Sequence, residues 1–282
     1  MTKIIGFLGK KQSGKNTACN FILALKLIEL GVCKTVRLND KGEIEVSDIL
    51  GQTIPNCKMF PFARDIVRIE ENTYMINTKA LFDSHQLGKY IKIYSLAEPL
   101  KEFCIDILGL KRELVYGTDK QKNSLTDLEW DYMPGVITDK DWYEDLKEQV
   151  NDIESLLTYH ASGKMTVREV LQFVGTDIFR RMNPNCWTGY LLAQIAVDQP
   201  ELALVSDVRF PDETIGIRKV GGIVIHLTRD PYKKKKDQHA SEKIDDSEAD
   251  IILDNQKMTI PQQNKALYNA LKPYKVLKDI TV

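Results

Sequence analysis

The sequence predicts an α/β protein: a core with a five-stranded, mainly parallel sheet flanked by helices, carrying inserted segments. Three observations carry that expectation. Short apolar runs alternate with amphipathic helical stretches along the chain. The run Leu202-Ala203-Leu204-Val205 is continuously apolar, as suits a strand buried on both faces. A glycine-rich turn, Gly9–Thr17, joins an apolar run to a helical one. With 282 residues, 43% apolar and 28% charged, the chain can bury a sizeable core. Lys plus Arg number 39 and Asp plus Glu 40, giving a formal charge of −1. Near-neutrality argues against a protein whose whole surface grips nucleic acid, but leaves room for a local anion pocket.

The elements follow in order. Lys3–Leu8 reads as a strand, and Asn16–Leu30 as a helix closed by Gly31. Val36–Val46 reads as a hairpin turning at Asp40-Lys41-Gly42. Tyr90–Leu96 is the next strand. Glu98–Leu108 is a helix whose Leu100, Phe103, Cys104, Ile107 and Leu108 share one face, with Pro99 in its first turn and Gly109 at its stop. Asp141–Leu157 reads as a surface helix, and Thr166–Met182 as a helix opened by a Thr166/Glu169 capping box. Strands at Leu202–Ser206, Ile223–Leu227 and Asp250–Leu253 and a helix at Gln262–Leu271 complete the scheme. Residues 32–89 and 111–162 read as insertions without an obvious core of their own. The whole of 1–282 then reads as one domain, with a lid near 229–242.

Five cysteines, Cys19, Cys33, Cys57, Cys104 and Cys186, show no C-x-x-C pair or metal spacing, so buried thiols in a reducing compartment are expected. The N-terminal apolar run is too short for a signal peptide, and no run is long enough for a membrane helix. A soluble, cytoplasmic protein without membrane partners is the expectation.

The segment Gly9-Lys10-Lys11-Gln12-Ser13-Gly14-Lys15-Asn16-Thr17 follows a strand and opens a helix, the context a phosphate-binding P-loop requires. Glycines let successive N–H groups face inward, and the helix N-terminus adds its positive end. Gly9, Lys11, Ser13, Gly14, Lys15, Asn16 and Thr17 are therefore expected at the phosphates, with Lys15 as a flexible point charge. The residue directly after the lysine is Asn16, not Ser or Thr, and Thr17 comes next. Mg²⁺ is then expected to be held mainly through phosphates and water, with Thr17 or Asp207 as candidate protein contacts.

A second substrate must be read elsewhere. Arg168, Gln172, Gly175 and Thr176 form a polar stripe on the Thr166–Met182 helix, beside an apolar face of Val167, Val170, Leu171, Val174 and Ile178. That stripe invites a ligand or simply faces solvent. Arg180 and Arg181 add charge near the helix end. Trp187 offers its ring to a base or to the core. Asp207 and Arg209 sit where a buried strand ends, the usual ligand edge of such sheets. Asp207 is suited to orient metal-bound water or an acceptor hydroxyl, and Arg209 to clamp a phosphate, or the two pair with each other. Arg229 leaves another strand end ahead of Lys233–Lys236 and His239. In a kinase lid it would stabilise charge in transfer, the reaction depending on positioning more than on base chemistry.

Taken together, GKKQSGKNTACNFI (9–22), YSLAEPLK (94–101), VREVLQFVGTD (167–177), Trp187, SDVRFPDE (206–213), GIVIHL (222–227), HASE (239–242) and DIILDN (250–255) resemble the deoxynucleoside monophosphate kinases of tailed bacteriophages. The resemblance implies strand order 2-3-1-4-5 and transfer of the ATP γ-phosphoryl to a deoxynucleoside 5′-monophosphate. ATP and Mg²⁺ follow as cofactors, with small nucleotides as partners and the infected cell's cytoplasm as location. It places Lys11 at phosphate, and Lys120, Arg168, Gly175, Thr176, Trp187, Asp207, Arg209 and Glu213 at the acceptor. Lys15, Arg209 and Arg229 become the catalytic set. A homodimer is left open. A kinase for another small acceptor, such as dephospho-coenzyme A, and a non-catalytic nucleotide-binding module are the alternatives.

Overall fold

The computed structural model describes residues 2–30, 33–49, 67–70, 73–76, 87–231 and 249–277. Expectations for Cys57, Lys233–Lys236, His239 and most of the 229–242 lid fall outside the described residues. The chain divides into two compact units. Unit 1 comprises Met1–Leu96 and Trp187–Val282, and unit 2 comprises Ala97–Cys186.

Unit 1 is built on five parallel strands: β1 (Lys3–Leu8), β2 (Ile91–Tyr94), β3 (Leu202–Val208), β4 (Ile223–Leu227) and β5 (Ile251–Leu253). Their order across the sheet is β2-β3-β1-β4-β5. All four pairings are parallel, and the order is the one the resemblance implied. The helices of this unit are α1 (Lys15–Glu29), α4 (Cys186–Asp198, which opens at the unit boundary), α5 (Pro211–Lys219) and α6 (Ile260–Leu271); α2 (Glu98–Asp106) and α3 (Val167–Gln172) belong to unit 2. The strands run near-continuously apolar because helices cover them: Ile5, Phe7, Leu204, Ile225 and Leu227 cluster with Ile22, Leu23 and Leu27 of α1 and Leu267 of α6.

The register holds one irregularity that bears on function. Lys3 to Gly6 pair with Leu202 to Val205, but Leu8 pairs with Val208. Phe7 therefore spans both Ser206 and Asp207. One extra residue on β3 is a bulge, which bends a strand and re-aims a side chain. The expected strand end at Ser206 extends to Val208 for this reason.

The expected hairpin forms between Cys33–Leu38 and Ile44–Ile49. Asn39 Oδ1 accepts from Lys41 N (3.0 Å) and Glu43 N (2.9 Å), which closes its turn. Two further strands, Val67–Glu70 and Thr73–Ile76, extend it to four strands in a stretch expected to be irregular. The start of α6 precedes the expected Gln262, because Thr259 Oγ1 accepts from Gln262 N while Gln262 Oε1 accepts from Thr259 N.

Unit 2 contains α2 (Glu98–Asp106) and α3 (Val167–Gln172). It has an apolar cluster of Cys104, Val115, Trp130, Met165, Val167, Val170 and Phe173. Val115 and Trp130 come from the 111–162 stretch and pack with residues on either side of it. Two small pairings, Leu125–Glu129 with Lys164–Thr166 and Val136–Ile137 with Thr158–Tyr159, were not foreseen. The expected helix Asp141–Leu157 is two helices, Lys140–Gln149 and Ile153–Leu156. Asp152 between them has φ +61°, a left-handed conformation that a continuous helix does not admit.

Candidate active site

The expected phosphate loop is the turn from β1 into α1. Gly9 has φ +154°, and a Cβ there would lie 2.5 Å from Ser13 Oγ and 2.8 Å from the Leu227 carbonyl oxygen, so only glycine fits. Gln12 (φ +59°) and Gly14 (φ +101°) also take positive φ, and Gly14 caps α1. This alternation winds the backbone into a concavity of the kind that receives anions. Lys15 is buried. Its Nζ donates to the Gly9 carbonyl and to the Lys10 carbonyl at 2.7 Å. Lys10 pairs with Asp230 just past β4 at 2.8 Å.

Ser13 is fully buried, and its Oγ has no hydrogen-bond partner among the described residues. A buried hydroxyl left unpaired costs about 1–3 kcal/mol, so its place in a phosphate cradle is a fit to an oxygen-rich ligand. Thr17 is half-buried against the hairpin turn: a Cβ on Gly42 would lie 2.3 Å from its Oγ1. Asn16 is exposed and Lys11 half-exposed.

The bulged end of β3 presents Asp207. Its Oδ2 accepts from Ser95 Oγ at 2.6 Å, and its Oδ1 from Leu96 N at 2.7 Å. These two residues follow β2, so the parallel pairing of β2 and β3 delivers both donors. Cys19, buried on α1, reports what lies nearby. Burial pushes its thiol up, the Asp207 carboxylate pushes it further, and Lys15 pulls it down. The Asp207 and Lys15 charges thus both act on this one thiol of α1. Among the described residues no group of three or more His, Cys, Asp or Glu side chains is arranged to hold a metal. Mg²⁺ commonly binds through one or two carboxylates plus phosphates and water. Asp207, a carboxylate, fits that donor set.

Other expected residues take definite places. Glu213 Oε2 accepts from Arg209 N at 2.7 Å and Phe210 N at 3.1 Å, and the residue is 2% exposed. It fixes the loop between β3 and α5 and so positions Arg209. Trp187 is buried at the start of α4. The Arg229 guanidinium donates to the Asn255 carbonyl, with Nη2 at 3.0 Å, and to the Met258 carbonyl.

In unit 2, Arg168 Nη2 donates to Asp119 Oδ1 at 2.8 Å and its Nε to Asn123 Oδ1 at 3.0 Å. Lys120 is exposed on the same 119–122 helix. The capping box forms as expected, Thr166 N meeting Glu169 Oε2 at 2.7 Å. Past Gln172 the helix widens into a π-helix over Phe173–Arg180. Such segments are rare and frequent at functional sites. They also shift the phase of the expected stripe. Gly175 is buried, and a Cβ there would meet Leu100 Cδ2 at 2.6 Å, so this glycine permits close approach of α2. Thr176 is half-buried.

Two residues at the phosphate loop escaped the sequence reading. Asn255, 0% exposed, donates from Nδ2 to the Ser13 carbonyl and to Gln263 Oε1, both at 2.7 Å. Its Oδ1 accepts from Arg229 N at 2.8 Å. Gln263, 1% exposed, donates from Nε2 to the Gly14 carbonyl at 3.4 Å. A buried Asn in the loop after the last strand was the available signal.

A cleft of about 1110 Å³ lies at the opposite edge of the sheet, lined among others by Lys3, Lys26, Glu201, Tyr268 and Lys272. Lys26 is already paired there with Glu29 and Glu201 at 2.9 and 3.0 Å. None of the motif residues lines it, and the carboxyl edge is where such sheets bind ligands.

Residues 120–262, just over half of the chain, match the family model described as deoxynucleotide monophosphate kinase. A protein of Acanthamoeba polyphaga mimivirus that carries the name of a deoxynucleotide monophosphate kinase is 28% identical over 160 residues, covering 52% of this chain and 65% of that protein. The deoxynucleoside-5′-monophosphate kinase of Escherichia phage T5 is 23% identical over 217 residues, covering 76% of this chain and 70% of that protein. No helix among the described residues is long and apolar enough to cross a membrane. The family-model match spans more than half of the chain: the chain belongs to the deoxynucleotide monophosphate kinase family.

Proposed function

We propose that the protein transfers the γ-phosphoryl group of ATP to a deoxynucleoside 5′-monophosphate, releasing ADP and the deoxynucleoside diphosphate. The observation that carries this reading is the glycine-bent loop at the carboxyl end of β1, with a buried Lys15 and an unpaired buried Ser13 hydroxyl. An oxygen of the acceptor phosphate attacks the γ-phosphorus, the bond to the β,γ-bridging oxygen breaks, and ADP leaves. The protein forms no covalent intermediate; its work is positioning and charge neutralisation.

In this proposal Lys15 exchanges the Gly9 and Lys10 carbonyls for donor phosphate oxygens. Lys11, Ser13, Gly14, Asn16 and Thr17 surround the same phosphates. Bound Mg²⁺ supplies neutralisation of developing charge on the phosphates. Asp207, held at both oxygens by Ser95 and Leu96, would hold the ion through water. Arg209, set by Glu213, clamps the acceptor phosphate, and Arg229 adds positive charge. The roles that the resemblance implies for Lys120, Arg168, Gly175, Thr176 and Trp187 complete the proposal.

The test incubates purified protein with Mg-ATP and each deoxy- and ribonucleoside monophosphate in turn, with dephospho-coenzyme A as a further acceptor. ADP release that depends on a deoxynucleoside monophosphate supports the reading. ADP release with dephospho-coenzyme A alone, or with no acceptor at all, overturns it. Lys15→Ala is expected to lose at least about a hundredfold in turnover, the scale of one lost transition-state contact, while its circular dichroism spectrum stays that of the parent.

A further inference from the structure

We infer that Asn255 and Gln263 are positioning residues for ATP: they aim the N–H groups of the phosphate loop by holding its carbonyls from behind. This rests on the reading of Gly9–Thr17 as the ATP phosphate site.

The argument begins with the peptide unit. It is planar and trans, so the carbonyl of one residue and the N–H of the next point in opposite directions. Pinning the Ser13 carbonyl therefore fixes where the Gly14 N–H points. Pinning the Gly14 carbonyl does the same for the Lys15 N–H. Asn255 Nδ2 holds the first at 2.7 Å, and Gln263 Nε2 meets the second at 3.4 Å. The Gly14 carbonyl also accepts from Ala18 N at 2.9 Å, which ties the same peptide into α1. These N–H groups belong to the turn that opens α1, where helix donors lack partners within the helix and anions bind.

The brace is itself fixed. Both Nδ2 hydrogens of Asn255 are used, one on Ser13 and one on Gln263 Oε1 at 2.7 Å. Asn255 Oδ1 accepts from Arg229 N at 2.8 Å, and the Asn255 carbonyl receives the Arg229 guanidinium. With Asn255 at 0% and Gln263 at 1% exposure, water does not compete for these bonds. Gly14, at φ +101°, needs such external support, since glycine alone leaves its peptide free to rotate. An amide is required here. A carboxylate at 255 would put an acceptor against the Ser13 carbonyl, and an apolar side chain would leave the carbonyl unheld.

The experiment compares wild type, Asn255→Asp, Gln263→Glu and Gln263→Met by calorimetric titration with Mg-ATP, by KM for ATP and for the monophosphate, and by thermal melting. Gln263→Glu keeps the acceptor for Asn255 Nδ2 but sets a carboxylate against the Gly14 carbonyl, and Gln263→Met removes the donor without adding charge, so the pair separates lost donor from added charge and serves if Asn255→Asp does not fold. The expected result is ATP binding weakened at least tenfold and KM for ATP raised in parallel, with KM for the monophosphate within twofold of wild type. Variants that melt earlier while the folded fraction binds ATP as tightly as wild type would show a merely structural role and overturn the inference. So would equal losses for ATP and monophosphate. Failure of wild type itself to bind ATP would instead remove the reading of the phosphate loop.

Discussion

Replacing Gly9 by alanine isolates what the phosphate loop demands of its backbone. The new Cβ would lie 2.5 Å from Ser13 Oγ and 2.8 Å from the Leu227 carbonyl oxygen, at φ +154°. The hydroxyl can turn away, but the carbonyl belongs to β4 and cannot move without disturbing the sheet. Overpacking of this kind costs about 1–3 kcal/mol, and the positive φ adds about 1 kcal/mol, so the total is about 2–4 kcal/mol. Gly221 supplies the control within the same unit. Its φ is +79°, and a Cβ there meets nothing within 4 Å. Gly221→Ala thus carries the backbone strain alone, about 1 kcal/mol. In a protein of this size each kcal/mol moves the melting temperature by about 2–4 °C. Thermal melts followed by circular dichroism should show losses of about 4–16 °C for Gly9→Ala and about 2–4 °C for Gly221→Ala. Equal losses in the two variants would refute the argument that steric closure around Gly9 shapes the loop.

Two further outcomes follow from titrating groups. Burial and the Asp207 carboxylate raise the Cys19 thiol, so native protein at pH 8 should resist alkylation by iodoacetamide at Cys19, which becomes reactive on unfolding in urea; peptide mass mapping reads this, and rapid native labelling would contradict it. In unit 2, the Ser162 hydroxyl, the Gly163 N–H and the Thr138 hydroxyl hold the Asp131 carboxyl below the usual carboxylate range. A group depressed on folding stabilises above its unfolded pKa of about 3.9 and loses that contribution as pH falls. The stability advantage of wild type over Asp131→Asn in urea should therefore shrink between pH 7 and pH 3, and an unchanged gap would argue against this account.

The core of unit 1 was legible because its signals are local. Lys3–Leu8 and Ile223–Leu227 are strands at the expected bounds, since continuous apolar runs between polar turns leave little choice. Thr166 and Glu169 marked a helix start that the structure reproduces atom for atom. What escaped depends on distant partners or on backbone irregularity. The β3 bulge arises from pairing with β1, and nothing within SDVR announces it. The π-helix over Phe173–Arg180 breaks the 100° arithmetic by which Gly175 was placed on a polar stripe; in the structure it meets Leu100. Asn255 and Gln263 looked like ordinary polar residues because their targets, the Ser13 and Gly14 carbonyls, lie about 250 positions upstream. Glu213 was expected at the acceptor, and the hydrogen bonds its carboxylate accepts from the Arg209 and Phe210 N–H groups were not foreseen. That bond belongs to a loop conformation that residue type alone does not specify.

The strand order also sets a timetable for biosynthesis. β1 occupies the middle of the sheet, yet its register with β3 joins Leu8 to Val208, 200 positions later. At translation speeds of roughly 5–20 residues per second, β1 waits about 10–40 s for that neighbour. Ala97–Cys186 is an uninterrupted stretch and has been synthesised in the meantime. The Ser13 carbonyl waits longer still, because its holder Asn255 lies 242 positions downstream. The hold on the Ser13 carbonyl is therefore acquired late: a chain stalled between residues 186 and 255 would contain the whole continuous unit but lack the side chain that holds this carbonyl.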